Sequence, residues 1–288
     1  MSTSSLSLPG GTWTLGELTV TRFGYGAMQL AGPWVMGPPT DREGAVLREA
    51  VGLGITHIDT SDAYGPRVTN ELIREALHLC RESLHIVTKV GATRDEQGGR
   101  PTARRPEDLR RQVHDNLKSL RLDELDLVNL RLGNAEGPQP GSLAEAFETL
   151  VELQQQGLIR HLGVSNASEE QVTEAQSIAP IVCVQNMYNV AHRHDDKLID
   201  RLATEGVAYV PPFPLGGFTP LHSSALSAVA ARLKATQISV ALAWQLQRSP
   251  NILLIPGTSS TAHLRENIAG AGLSLSHEDL TELDDIGR

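Results

Sequence analysis

The sequence predicts an α/β fold, a closed (β/α)8 TIM barrel with a short N-terminal β-hairpin, and three observations carry the prediction. Brief apolar runs alternate with longer stretches of helical period along the 288 residues. Eight runs and eight such stretches follow one another in chain order, the pattern of repeated βα units. The first turn of the alternation, "GYGAMQLAG" (24–32), also lacks the G-x-G-x-x-G fingerprint of an open dinucleotide-binding sheet.

Taken in order, the opening "TWTLGELTVTRFGYG" (12–26) has β character and reads as the hairpin leading into the first strand. The strands are expected at 21–28, 56–61, 84–90, 125–131, 159–165, 181–186, 207–212 and 251–257. Amphipathic helices are expected at 41–53, 68–80, 106–120, 142–156, 168–178, 194–205, 222–248 with a break, and 261–270. The segment "GATRDEQGGRPTARRP" (91–106) is too polar and too rich in Gly and Pro for either element, so it is expected to be a long loop. Because it follows a strand, it would lie on the C-terminal rim of the barrel, where active sites form. No linker or composition break divides the chain, and residues 1–288 read as one domain.

Composition narrows the function classes. No apolar run approaches the roughly 18 residues that a membrane helix needs, and a net charge of -9 argues against a nucleic-acid partner. A small-molecule partner is expected, with oligomeric state left open. The start "MSTSSLSLPGG" lacks the basic region and apolar core of a signal peptide, so the expected location is cytoplasmic. Cys80 and Cys183 have no metal or redox spacing and are expected to be free.

Reducing a carbonyl requires a hydride donor and an acid for the oxyanion. A tyrosine can serve if a cation lowers its pKa from about 10, and a lysine held by a carboxylate supplies that cation. Asp59 ends the second strand, Tyr64 lies in the next loop and Lys89 ends the third strand. Neighbouring barrel strands point their C-terminal ends at one mouth, so the three can meet. Taken alone, each has a plainer reading: Asp59 as a cap, Tyr64 as a rim aromatic, Lys89 as a solvated charge.

At these residues the chain resembles the aldo-keto reductase family. "HIDTSDAYG" (57–65) is similar to its Asp-x4-Tyr-Gly signature and "IVTKV" (86–90) to its lysine strand. "IRHLGVSN" (159–166), "VQNMYN" (184–189), "FPLGG" (213–217) and "IPGTSSTAHLREN" (255–267) follow in the family's order, so the resemblance spans essentially the whole chain. It implies that Asp59 orients Lys89, that Tyr64 is the general acid, and that Ser165, Asn166 and Gln185 bind a nicotinamide carboxamide. Ser165 and Asn166 have a second reading as caps of the next helix. The resemblance further implies cofactor contacts at Gly26, Met28, Leu215, Gly257, Thr258, Ser259, Arg265, Glu266 and Asn267, the adenine end lying at a helix N-terminus.

Three departures from the family pattern stand out. Arg131 replaces the family's active-site histidine, and reads as a substrate or oxyanion contact or as a structural rim residue. Pro212 replaces the aromatic that stacks on the nicotinamide, leaving that role to Phe213. Gly257 and His263 replace the lysine and arginine that grip a 2′-phosphate, so NADPH is expected from family habit, with NADH open. The combination of "GYGAMQLAG", "VNLR" and "PLGGFTPL" resembles a bacterial branch that reduces pyridoxal to pyridoxine. A broad aldehyde reductase and a cofactor-binding regulatory subunit are the alternatives.

Other signals are weaker. His57 shares a strand face with Asp59 and reads as barrel packing. His192 and His194 lack further ligands, so no metal is expected. Arg94, Arg100, Arg104 and Arg105 either guide an anion to the rim or decorate a solvated loop.

Overall fold

Side chains alternate across each barrel strand, and both faces are apolar because both are covered. In the computed structural model, which describes residues 8–31, 41–95, 99–134, 137–216 and 223–287, Ile58, Ile86, Val128 and Val184 face an outer layer of helices. Their neighbours Val87, Leu127 and Cys183 belong to a second, inner cluster.

Two antiparallel strands, β1 (Thr12–Leu15) and β2 (Leu18–Thr21), form the expected hairpin, with Trp13 opposite Val20. Leu15, Leu18 and Val20 are buried with Val87, Leu127, Ala208 and Leu253. The hairpin therefore stoppers the end of the barrel at which the strands begin.

The parallel sheet runs β3 (Tyr25–Gly26), β4 (His57–Asp59), β5 (His85–Ala92), β7 (Leu125–Arg131), β8 (Ile159–Ser165), β9 (Cys183–Gln185) and β10 (Ala208–Tyr209) as successive neighbours. The eighth position is filled by residues 251–257, through parallel bridges Tyr209 to Ile252 and Phe23 to Leu254. The Leu253 amide donates to the Tyr209 carbonyl (2.9 Å) and the Leu254 amide to that of Arg22 (2.8 Å), which closes the circuit. At this seam a Cβ on Gly26 would lie 2.4 Å from the Ile255 carbonyl oxygen, and one on Gly257 2.6 Å from that of Gly26. Both positions require glycine for closure itself. Arg22 is buried beside the seam and donates to the carbonyls of Leu246 (2.9 Å), Ser249 (2.6 Å) and Ile252 (3.1 Å).

The helices are α1 (Asp41–Gly52), α2 (Val68–Leu77), α3 (Pro106–Leu120), α4 (Ala144–Gln155), α5 (Glu169–Ile178), α6 (Asp196–Thr204), α7 (Ser224–Leu233), α8 (Gln237–Arg248), α9 (Thr261–Ala271) and α10 (His277–Asp284). The break expected within 222–248 falls at Lys234, whose left-handed backbone (φ 52°) ends α7 before Thr236 caps α8. Two expectations need correction. The segment 91–106 is not loop throughout: β6 (Thr102–Ala103) returns antiparallel to β5, pairing Gly91 with Ala103. Helix α10 has no counterpart in the sequence reading; a capping box of Ser276 and Asp279 starts it. No helix among the described residues is long and apolar enough to cross a membrane.

Candidate active site

Strands β4 and β5 carry Asp59 and Lys89 to the same mouth. The Lys89 ammonium donates to Asp59 Oδ1 (2.5 Å) and to the Thr60 carbonyl (3.1 Å), and both side chains of the pair are buried. Burial acts most strongly and opposes the charged lysine. The field of Asp59, then interactions with Tyr64, outweigh it, so the ammonium is held above its ordinary range. Lys89 Nζ lies 5.4 Å from the centre of the Tyr64 ring. The Tyr64 amide donates to the Ser61 carbonyl (3.0 Å). Gly65 follows at φ 52°, where a Cβ would meet Ala31 Cβ at 2.6 Å. The Tyr-Gly pair is thus a tight turn against the first barrel segment.

A buried polar network, unforeseen from the sequence, stands behind these residues. Thr60 Oγ1 donates to Asn70 Oδ1 (2.9 Å), and Asn70 Nδ2 to Asn116 Oδ1 (3.0 Å) and Ser119 Oγ (3.1 Å). Thr88 Oγ1 donates to Asn116 Oδ1 (2.6 Å). The chain thereby ties α2 and α3 to the strand ends that bear Asp59 and Lys89. Asparagines on the buried faces of two helices are the signal that could have disclosed it.

Across the mouth, Arg131, Ser165 and Gln185 occupy one register level. Gln185 Nε2 donates to Asp59 Oδ2 (3.0 Å), so the glutamine shares the carboxylate with Lys89. Asn166 has a left-handed backbone (φ 52°), its amide donates to the Gln185 carbonyl (3.1 Å) and its side chain to the Asn134 carbonyl. The capping alternative for Ser165 and Asn166 is overturned: Ser168 caps α5, in a capping box with Gln171. Asn186, not singled out from the sequence, clamps this turn by exchanging hydrogen bonds with the Ala167 backbone (3.0 and 2.8 Å).

The seam side holds the remaining candidates. The buried Tyr25 hydroxyl donates to the Thr258 carbonyl (2.6 Å), and Thr258 Oγ1 accepts from the Ser260 amide (3.1 Å). Ser260 caps α9, next to Ser259. Arg265 pairs with Glu49 on α1 (2.6 Å), while Asn267 is buried and Glu266 exposed. Phe213 takes a left-handed backbone (φ 57°) and Leu215 packs on the core. Gly217 and the rest of "FTPL" lie outside the described residues.

A cavity of about 20 Å³ opens between these groups, lined by Ser61, Tyr64, Lys89, Thr93, Arg100 and Arg131 among others. Burial lowers the pKa of Arg131, Tyr64 opposes that shift, and Arg100 adds to it. Arg100 reaches across the mouth to the Met28 sulfur (3.9 Å). The other rim arginines differ: Arg104 binds the Leu132 carbonyl (2.7 Å) and Arg105 pairs with Asp108 (3.1 Å). No three metal-ligating side chains converge among the described residues. His192 lies against Asn189 (3.1 Å) and His194 against Asp195 (3.5 Å). Both cysteines are free, Cys80 exposed and Cys183 buried.

A pyridoxine 4-dehydrogenase of Escherichia coli is 61% identical over 281 residues, covering 96% of this chain and 98% of that protein. An uncharacterized oxidoreductase of Schizosaccharomyces pombe is 35% identical over 281 residues, with 96% and 90% covered. Among solved structures, the thermostable aldo-keto reductase Tm1743 with the inhibitor epalrestat superposes at TM-score 0.80, with 33% identity and 96% and 99% covered. An aldo/keto reductase of Klebsiella pneumoniae with NADP and acetate superposes at 0.76, with 25% identity and 95% and 94% covered. The Aldo/keto reductase family model matches residues 22–288, and with it the chain belongs to that family of oxidoreductases.

Proposed function

We propose that the chain works as one barrel domain that reduces the aldehyde of pyridoxal to the alcohol of pyridoxine, with NADPH as the cofactor. The observation that carries this reading is the buried Asp59–Lys89 pair (2.5 Å) with Tyr64 over it, facing a cavity at the barrel mouth. The substrate comes from the likeness to the pyridoxine 4-dehydrogenase of Escherichia coli.

The side chains present fit a nicotinamide dinucleotide. Gln185, which donates to Asp59, and Ser165 at the same register level are buried polar side chains suited to a carboxamide, and 26–28 with the capped start of α9 offer backbone and hydroxyl donors for the other end. When bound, the reduced nicotinamide supplies the hydride. Tyr64 holds the proton that passes to the carbonyl oxygen, and Lys89, locked by Asp59, keeps a positive charge beside the phenol as it loses that proton. Arg131 adds a guanidinium where charge develops on oxygen. A cytoplasmic location, where reduced dinucleotide is available, is part of the same reading.

Cofactor oxidation with pyridoxal, nitrobenzaldehyde and methylglyoxal, run with NADPH and with NADH, tests the reading. The expected result is highest kcat/KM for pyridoxal with NADPH, and a loss of about a hundred- to ten-thousandfold in Tyr64→Phe. Equal rates on all three aldehydes would remove the substrate assignment, and undiminished turnover in Tyr64→Phe would remove the acid.

A further inference from the structure

We infer that Arg131 and Arg100 together form an anion subsite beside the reacting carbonyl, which takes an ionised ring oxygen ortho to the aldehyde. The inference rests on the reductase reading and deepens it, since it names the charge state and the substituent that the site selects.

The chain as a whole carries -9, so an excess of positive charge at one point is not a general trend of this surface. Around the cavity the charge of Lys89 is matched by Asp59, which also accepts from Gln185. Arg131 and Arg100 have no such match. Among the described residues no carboxylate lies within ion-pair distance of either, and Arg100 makes only the contact with the Met28 sulfur. Burial disfavours the charged form of Arg131, Arg100 adds to that effect, and the two side chains line one cavity. Two half-buried cations that line one cavity without a carboxylate partner favour an anion between them.

Placement then limits where that anion sits. Both arginines line the same cavity as Tyr64 and Lys89. The carbonyl oxygen must lie within hydrogen-bond reach of the Tyr64 hydroxyl, so a group that meets Arg131 and Arg100, which line the same cavity as Tyr64, is only a few bonds from the carbonyl carbon. An oxide on the adjacent ring carbon meets that requirement, and the forked donors of arginine suit an oxygen anion.

The test compares kcat/KM for 3-hydroxypyridine-4-carboxaldehyde with that for pyridine-4-carboxaldehyde, at a pH where the ring hydroxyl is ionised, in wild type, Arg131→Met and Arg100→Met. Wild type should favour the hydroxylated aldehyde by about ten- to hundredfold, and each variant should lower that ratio by about tenfold. The ratio within one protein is independent of how much of a variant folds, and Arg100 stands in a rim segment outside the strands, so it reports even if Arg131→Met does not fold. An unchanged ratio in both variants, or no preference in a wild-type enzyme that does reduce pyridoxal, would overturn the subsite and leave the function standing. Failure on pyridoxal together with an arginine-dependent preference for 2-carboxybenzaldehyde over benzaldehyde would support the subsite and remove the pyridoxal reading.

Discussion

Lys89 Nζ lies 2.5 Å from Asp59 Oδ1 inside the barrel mouth, and each side chain is almost completely withdrawn from water. Two charges so placed are held by each other, and removing one strands the other. Lys89→Met and Asp59→Leu should each lower the free energy of unfolding by about 3–5 kcal/mol, whereas the double variant should recover most of that loss and stay inactive. Urea denaturation of the four proteins, with activity measured in parallel, checks this. Additive losses in the double variant would mean that the pair is not coupled.

How far the sequence reached is clearest at this pair. The meeting of Asp59, Tyr64 and Lys89 was legible because their residue types suit one reaction and strand ends of a barrel converge. The eight apolar runs were legible because strands covered on both faces leave a strong local signal. What escaped depends on partners remote in sequence. Asn70 and Asn116 look like ordinary helix polar residues until Thr60 and Thr88 are brought to them. The close approach of Gly26 and Gly257 has no local signal, because it arises only where the two ends of the barrel meet at the seam. Arg265 looks available for a phosphate until α1 places Glu49 on it. Residues 102–103 gave no strand signal because their pairing is with the overhanging end of β5.

The Glu49–Arg265 pair bears on the choice of cofactor. The two bonds from the guanidinium to Glu49 Oε1 (2.6 and 2.7 Å) cancel a charge that, in the proposed binding mode, would face the ribose of the cofactor. Glu49→Gln should release it and tighten binding of NADP+ by about two- to fivefold, a modest gain because the pair is solvent-screened, with NAD+ little affected. Fluorescence titration with both dinucleotides measures the two constants. Equal changes for both would show that the pair does not discriminate the 2′-phosphate.

The two cysteines should differ sharply in reactivity. Burial, then the nearby charge of Asp59, pushes the Cys183 thiol up to about 12, so almost no thiolate forms at neutral pH. Cys80 is exposed after α2. A chromogenic disulfide reagent should therefore titrate one thiol in the native protein and two after denaturation, and none in native Cys80→Ser. Rapid reaction of the native Cys80→Ser protein would contradict the burial of Cys183.

His57 supplies a pH dependence of stability. The ring is fully buried two residues before Asp59, and its Nδ1 has no hydrogen-bond partner. Burial is the main cause that lowers its pKa from an ordinary 6.5 to about 4; Asp59 acts in the opposite sense, and Lys89 and His85 reinforce the lowering. The unfolded chain then takes up a proton below about pH 6.5 that the folded chain refuses until about pH 4. The contribution of His57 is thus complete above the upper value and is lost as pH falls to the lower one. A shift of this size corresponds to about 3 kcal/mol. His57→Gln cannot charge, so between pH 7 and pH 4 its unfolding free energy in urea should fall by about 3 kcal/mol less than that of the wild type. Parallel acid limbs for the two proteins would mean that the histidine is already protonated in the folded barrel or neutral in the unfolded chain over that range.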